Sequence, residues 1–600
     1  MQNGVTDMQN GMKISMKRVF WLLVVLFVMI LGKLFKTVAY DRQMIASSSY
    51  NSRLGYDSGD FKRGTIYDVD GNVMAESVKD GDRYKRQYPY GRAAAHITGY
   101  TGSGAVGIEA AENFTLLGLN NEISQRAENI LHGVEMQGND VHLTVDMDIQ
   151  QLAYELLGNN KGAAVVMNPT TGAIIAMAST PAYNPNTVNA DWNELANDSS
   201  SPMLNRATQG LYPPGSTFKI ITALAAMRNM ANIDDFTFDC EGEVEIGNSV
   251  IHCYNSRVHG RLNIDDAMAV SCNSTFATLG KTIGAAKLRE TADNLNANSA
   301  ITLEVPLSQS SVSLSRFSSD SELAETSIGQ GKTVVTPIYM AMLISSVAND
   351  GQMMQPYMVS SITDSAGNTV STTVPKVYDT VMTAQEADRL TEMLIQVINR
   401  GTGTAAQLKG YQAAGKTGTA ENENENDHSW FVGFASTDNP QVAVAVILEN
   451  VSGNERATPI GARLMQAVLD KQNAGKIDNN NYNYQAQPVT PEENKNDEIN
   501  SDTEIIENTE TPDDDYVIGS DNTDGSTDGT SNGNNNENGT DGTQNGSPGT
   551  NDGSSGDNNT GGGTTETPTI GGSDNNTEGG NTAPGLYKDN EGHRLELVNK

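Results

Sequence analysis

Cysteine is scarce in this chain: three residues in 600, Cys240, Cys253 and Cys272. That excludes a disulfide-stapled scaffold, which needs far denser bridging. Cys240 and Cys253 flank a segment, 241–252, that reads as a hairpin, and pairing and two free thiols both stay open. Histidine is scarce too, with seven scattered residues. No pair of them stands at metal-ligand spacing with nearby cysteines or carboxylates, so no metal site is expected. Basic charge is short: 39 Lys and Arg face 74 Asp and Glu, a net charge of −35. No basic footprint is left for a polyanion, and nucleic acid is excluded as a partner. Long apolar runs are almost missing. The exception is residues 19–32, fourteen uninterrupted apolar positions.

Fourteen residues fall short of the roughly 20 that span a bilayer and also suit a signal-peptide core. Beyond Lys33, however, Leu34, Phe35, Val38, Ala39 and Tyr40 continue the apolar pattern, and snorkelling lysines can extend a span. The best cleavage site, Thr37-Val38-Ala39, is weak. The expectation is a short N-terminus at 1–18 and an uncleaved transmembrane anchor at 19–40. Lys13, Lys17 and Arg18 before the run and Lys33, Lys36 and Arg42 after it do not set its orientation. At the other end, residues 471–600 carry 25 acidic and 6 basic side chains among Asn, Gly, Ser and Thr. Such a segment cannot bury enough apolar surface to offset chain entropy, so a disordered acidic tail is expected over 471–600.

Two glycine motifs in between are decoys. Gly102, Gly104 and Gly107 match a dinucleotide fingerprint, but no buried strand precedes them. Gly410, Gly415, Lys416 and Thr417 match a phosphate-binding loop, but no helix follows. No cofactor is expected. The remaining pattern alternates strand and helix. Residues 63–75 read as strand, Asp-Gly turn, strand, and 163–178 as a buried hairpin. Helices are expected from Ser216 on and over 263–283, 338–348, 383–399 and 461–471. Three antiparallel strands are expected at 413–421, 429–435 and 441–449.

Three motifs carry chemistry. Ser216 and Lys219 stand three apart after Pro213, Pro214 and Gly215, so a helix start holds a hydroxyl beside an amine. Burial and the positive helix end favour a neutral amine, which can take the serine proton. Ser271 and Asn273 form an S-x-N pair on the second helix. Lys416, Thr417, Gly418 and Thr419 lie on a strand that offers a cation, hydroxyls and bare backbone to an extended peptide. Singly these patterns are common; in this order, 55 and 145 residues apart, they are a strong signal.

The set resembles the class B penicillin-binding proteins, monofunctional peptidoglycan D,D-transpeptidases. Cys272 stands where the usual motif has Asp. Further likeness lies in Arg63 and Gly64, His96, Gly107 to Glu109, Thr336 and Pro337, and Trp430 to Ala435. The resemblance implies an α+β transpeptidase/β-lactamase-like domain at 151–470, an antiparallel sheet flanked by helices. This stands on a mixed, non-catalytic pedestal at 41–150, too short for a glycosyltransferase domain. It implies a cell-membrane protein with a cytoplasmic N-terminus and an extracytoplasmic catalytic domain. Ser216 would be acylated, with Lys219 as general base. Ser271 would relay a proton, Asn273 orient the substrate amide, and Lys416 supply positive potential. The Thr417 and Thr419 hydroxyls would hold the terminal carboxylate, and bare Gly418 would let the peptide substrate come close. The N–H groups of Ser216 and Thr419 would form the oxyanion hole. Partners would be stem peptides, β-lactams, the membrane and a membrane glycosyltransferase. The rival readings are an anchored D,D-carboxypeptidase or β-lactamase, and a catalytically silent sensor.

Overall fold

The computed structural model describes residues 2–39, 61–102, 104–119, 137–421, 426–451 and 456–473. The expected tail lies outside the described residues except for 471–473, which complete the last helix. The N-terminal residues form one helix, α1 (Gln2–Ala39). Val19, Trp21, Phe27 and Ile30 are exposed on it. Among the described residues no helix is long and apolar enough to cross a membrane. Lys17, Arg18 and Lys33 bracket the fourteen-residue run.

The chain then builds β1 (Ile66–Tyr67), β2 (Val73–Asp80), β3 (Arg83–Gln87) and β4 (Asp140–Leu143). β1 pairs antiparallel with β2 through the expected Asp-Gly turn and parallel with β4. A late excursion supplies β12 (Val359–Thr363) and β13 (Thr369–Thr372), giving six strands in the order β13-β12-β4-β1-β2-β3. A buried charge cluster locks the loops beside this sheet. Glu109 is fully buried and accepts from Arg63 Nη2 at 2.7 Å and Arg86 Nε at 2.6 Å. Burial alone would raise its pKa, but the two guanidinium groups win and hold the carboxyl below its ordinary range. Arg63 also donates to Asn113 Oδ1 at 2.8 Å.

The second sheet follows α2 (Met147–Leu157). Its strands are β5 (Gly162–Met167), β6 (Ile174–Thr180), β15 (Ala413–Ala420), β16 (His428–Ala435) and β17 (Val442–Leu448). It is antiparallel throughout, ordered β15-β16-β17-β5-β6. Every residue of β5 and β17 is buried, because both faces are covered. Odd-numbered positions such as Val165 and Ala445 share a core with α6 (Pro337–Ala348). Even-numbered ones such as Val166 and Val444 share a core with α8 (Ala457–Asn473). That pattern of period two gives continuous apolar runs in the sequence.

A helical subregion lies between β6 and β15. It includes α3 (Lys219–Asn229) and α7 (Ala384–Arg400). Between them in sequence lie the small pairs β7 (Thr237–Cys240) with β10 (Gly260–Asn263), β8 (Glu243–Ile246) with β9 (Ser249–His252), and β11 (Gln352–Met354) with β14 (Val377–Thr380). The single helix expected over 263–283 is in fact two, α4 (Ile264–Ala269) and α5 (Asn273–Ile283). Ser271 breaks it by adopting a left-handed φ of 57°.

Replacing Glu109 by Ala leaves two buried guanidinium groups unpaired and is expected to cost about 3–5 kcal/mol. The exposed Glu245→Ala should change stability by less than about 0.5 kcal/mol. Denaturant midpoints of the two variants measure the difference.

Candidate active site

Pro214 and Gly215 turn the chain into a tight 3-10 turn, Gly215–Phe218, from which α3 continues at Lys219. Ser216 therefore sits on the turn, one step before the helix proper. Three contacts fix the lead-in. Gly215 N–H donates to the Gly329 carbonyl at 2.9 Å, and Trp430 Nε1 donates to the Pro213 carbonyl at 2.9 Å. Thr217 Oγ1 donates to the Pro214 carbonyl at 2.6 Å. Gly215 has a φ of +51°, and a Cβ there would strike the Thr419 carbonyl. The turn thus packs directly on the backbone of β15.

Lys219 is fully buried, and its Nζ is surrounded. It lies 3.1 Å from Ser216 Oγ, 3.1 Å from Ser271 Oγ, 2.6 Å from the Ser271 carbonyl and 2.7 Å from Asn273 Oδ1. The left-handed backbone of Ser271 lets its carbonyl and its hydroxyl both face the amine. The Phe276 ring lies 5.6 Å from Nζ. Burial lowers the Lys219 pKa to about 8, against smaller opposing pulls from Cys272 and Cys253. A useful fraction of the amine is thus neutral near physiological pH.

Lys416 is also fully buried and donates to Ser271 Oγ at 2.9 Å and to the Thr417 carbonyl at 3.1 Å. Ser271 Oγ is therefore shared by two amines. Asn273 is oriented from behind by its Nδ2, which donates to the His252 carbonyl at 2.9 Å. Strand alternation puts Lys416 and Gly418 on one face of β15, and Thr417 and Thr419 on the other. Thr417 Oγ1 meets Thr402 Oγ1 at 2.6 Å, and Thr419 is exposed. β15 is an edge strand, and one side of its backbone is not paired within the sheet. A Cβ on Gly418 would press on Thr217 and Trp430.

The structure thus joins Ser216, Lys219, Ser271, Asn273 and Lys416 in one hydrogen-bonded group, with the Thr417–Thr419 backbone alongside. Sequence reasoning missed Thr402, Phe276 and Gly329. A Cβ on Gly329 would strike the Gly215 carbonyl. Its sequence signal is the Gly329-Gln330-Gly331 pair, and both glycines take positive φ in the structure. Among the described residues, Gly415 to Thr417 lie on a strand, and Gly107 opens a helix of five residues where a loop was expected, with no strand directly before it. One grouping was not visible from the sequence. Cys240, Cys253, His259 and Cys272 bring their ligand atoms within 4.8 Å of one another, a grouping that residue spacing did not show. All three cysteines are free, and Cys240 and Cys253 are not bridged.

An antiparallel five-stranded sheet with its helical subregion, and a serine–lysine pair beside an edge strand, define a transpeptidase/β-lactamase-like protein. Residues 162–466 match the penicillin-binding protein transpeptidase domain, and residues 63–141 match the penicillin-binding protein A dimerisation domain. The peptidoglycan D,D-transpeptidase PbpA of Mycolicibacterium smegmatis is 31% identical over 490 residues, covering 76% of this chain and 99% of that one. Among solved structures, the D,D-transpeptidase domain of a peptidoglycan glycosyltransferase from Eggerthella lenta is 36% identical. It aligns with a TM-score of 0.63 over 70% of this chain and 99% of its own. Penicillin-binding protein A from M. tuberculosis, solved as a ceftriaxone acyl-enzyme, is 30% identical with a TM-score of 0.65, covering 69% and 99%. The chain belongs to the class B penicillin-binding proteins.

With Lys219 as the base, acylation of Ser216 should rise about tenfold per pH unit below pH about 8 and level off above it. Stopped-flow acylation by a chromogenic β-lactam measures the profile.

Proposed function

We propose that this protein is a membrane-anchored serine D,D-transpeptidase that cross-links peptidoglycan stem peptides through an acyl-enzyme on Ser216. The carrying observation is the Lys219 amine, held 3.1 Å from both Ser216 Oγ and Ser271 Oγ with its pKa pulled to about 8. Neutral Lys219 takes the Ser216 proton as Oγ attacks the penultimate D-Ala carbonyl carbon. The oxyanion faces the N–H groups of Ser216 and Thr419, where one donor is worth about 10²–10³ in rate. The peptide C–N bond then breaks, and the proton held by Lys219 passes through the Ser271 hydroxyl to the leaving D-Ala nitrogen. Lys416 supplies the positive potential that favours the terminal carboxylate, with Thr417 and Thr419 at the strand that receives it. Asn273 orients the substrate amide. An amine of a second stem peptide attacks the ester carbonyl and gives up a proton through Lys219 to Ser216 Oγ as the acyl C–O bond breaks, forming the new amide and freeing Ser216. A β-lactam follows the first half only: its ring C–N bond opens and the acyl group stays on Ser216.

Residues 41–150 serve as a non-catalytic pedestal and 151–470 as the transpeptidase domain, with 471–600 as an acidic tail. The helix carrying residues 19–32 anchors the chain in the cell membrane, N-terminus inside and catalytic domain outside. Its exposed apolar side chains and flanking lysines support that role. A membrane glycosyltransferase that makes the glycan strands completes the chemistry, since the 41–150 segment is too short to do so.

A fluorescent penicillin tests the reading. The detergent-solubilised chain should be labelled with one penicillin, and Ser216→Ala should not be labelled at all. Rapid turnover of the β-lactam would instead mean a hydrolase, and labelling of the Ala variant would remove Ser216 from the role.

A further inference from the structure

Three cysteines and a histidine converge directly behind the S-x-N motif, although they come from four separate segments. Cys240 ends β7, and Cys253 follows β9. His259 precedes β10, whose first residue, Gly260, pairs with Cys240. Cys272 caps α5 between Ser271 and Asn273. The three thiols are buried, and His259 is half-buried. Cys253 Sγ lies 3.6 Å from Cys240 Sγ and 3.6 Å from Cys272 Sγ, and His259 Nδ1 lies 3.4 Å from Cys240 Sγ.

Those distances match one coordination geometry. A tetrahedral zinc with Zn–S of about 2.3 Å and Zn–N of about 2.0–2.1 Å requires S···S of about 3.8 Å and S···N of about 3.6 Å. Three sulfurs and one imidazole nitrogen are a soft donor set that suits zinc over magnesium or calcium. All four positions would be filled by protein, the mark of a structural rather than a catalytic ion. A supporting contact is present: Ser274 Oγ lies 3.3 Å from Cys253 Sγ and can donate to it. Half-buried His259 offers the way in.

We propose that Cys240, Cys253, His259 and Cys272 bind one structural zinc ion that fixes the S-x-N motif against Lys219. Two of the residues held by the ion adjoin the site directly. Cys272 is the central residue of the motif, and His252, whose carbonyl orients Asn273, precedes Cys253. The ion ties the outer hairpins to the break between α4 and α5, where Ser271 sits in its left-handed conformation. The reading of these four residues does not depend on Ser216 being acylated.

Zinc itself is the probe. The full detergent-solubilised chain, purified with zinc in the medium and passed through gel filtration, should keep one zinc per chain by elemental analysis. Its three thiols should resist a thiol reagent until a chelator is added. Cobalt(II) exchanged into the site should give thiolate charge-transfer and tetrahedral ligand-field bands. Cys253→Ser and the milder His259→Ala should lose the bound equivalent, with denaturation midpoints showing whether each still folds. Zinc-free wild-type protein with three freely titrating thiols would overturn the proposal, as would a disulfide between Cys240 and Cys253. Either result would leave penicillin labelling of Ser216 as a separate question.

Discussion

Everything at the site depends on keeping one amine, Lys219 Nζ, out of water. In water a lysine is charged at neutral pH and cannot accept a proton. Here it is fully buried, and its pKa falls to about 8. An isolated buried ammonium would be prohibitive, so the amine needs polar partners in either protonation state. Ser216, Ser271 and Asn273 supply them within 3.1 Å. Those partners come from a turn before α3 and from the break between α4 and α5, so the site exists only when these parts are assembled.

The fold meets that demand with backbone geometry. Gly215 and Gly329 let the turn, β15 and the 329 loop approach closer than any side chain would permit. Trp430 on β16 holds Pro213. Ser271 takes a conformation that a continuous helix forbids, and so presents two oxygens to the same amine. The five-stranded sheet, covered on both faces, supplies the rigid edge from which Lys416 reaches Ser271. Precision at the centre is thus provided by packing and glycine contacts around it.

Much of this was legible in the sequence. The runs at 163–178 and 441–449 were strands because both faces are buried, and period-two apolar patterns survive in such strands as continuous runs. The three motifs pointed to one cleft because a hydroxyl beside an amine, a second hydroxyl with an amide, and a strand with a cation are each incomplete alone. Other features were hidden for physical reasons. Apolar periodicity runs smoothly through 263–283, yet tertiary bonding to Lys219 makes Ser271 break the helix. Ser216 was expected on a helix, but the close packing of Gly215 on β15 tightens that turn to 3-10. Cys240, Cys253, His259 and Cys272 are spaced 13, 6 and 13 apart, which resembles no local metal motif. Pairing of β7 with β10 brings Cys240 beside His259, and tertiary packing adds Cys253, after β9, and Cys272, at the start of α5. Thr402 approaches Thr417 through a loop whose course no local pattern dictates.

The central claim is that a neutral Lys219 takes the proton from Ser216. The most direct measurement is the acylation rate of Lys219→Arg by a β-lactam across pH about 6 to 10, with folding checked by the denaturation midpoint. A guanidinium keeps charge and hydrogen bonds but does not deprotonate in this range. The account predicts a rate lower by about 10²–10⁴ with no rise through pH 8. A folded Arg variant that regains the wild-type rate along the same pH profile would contradict it.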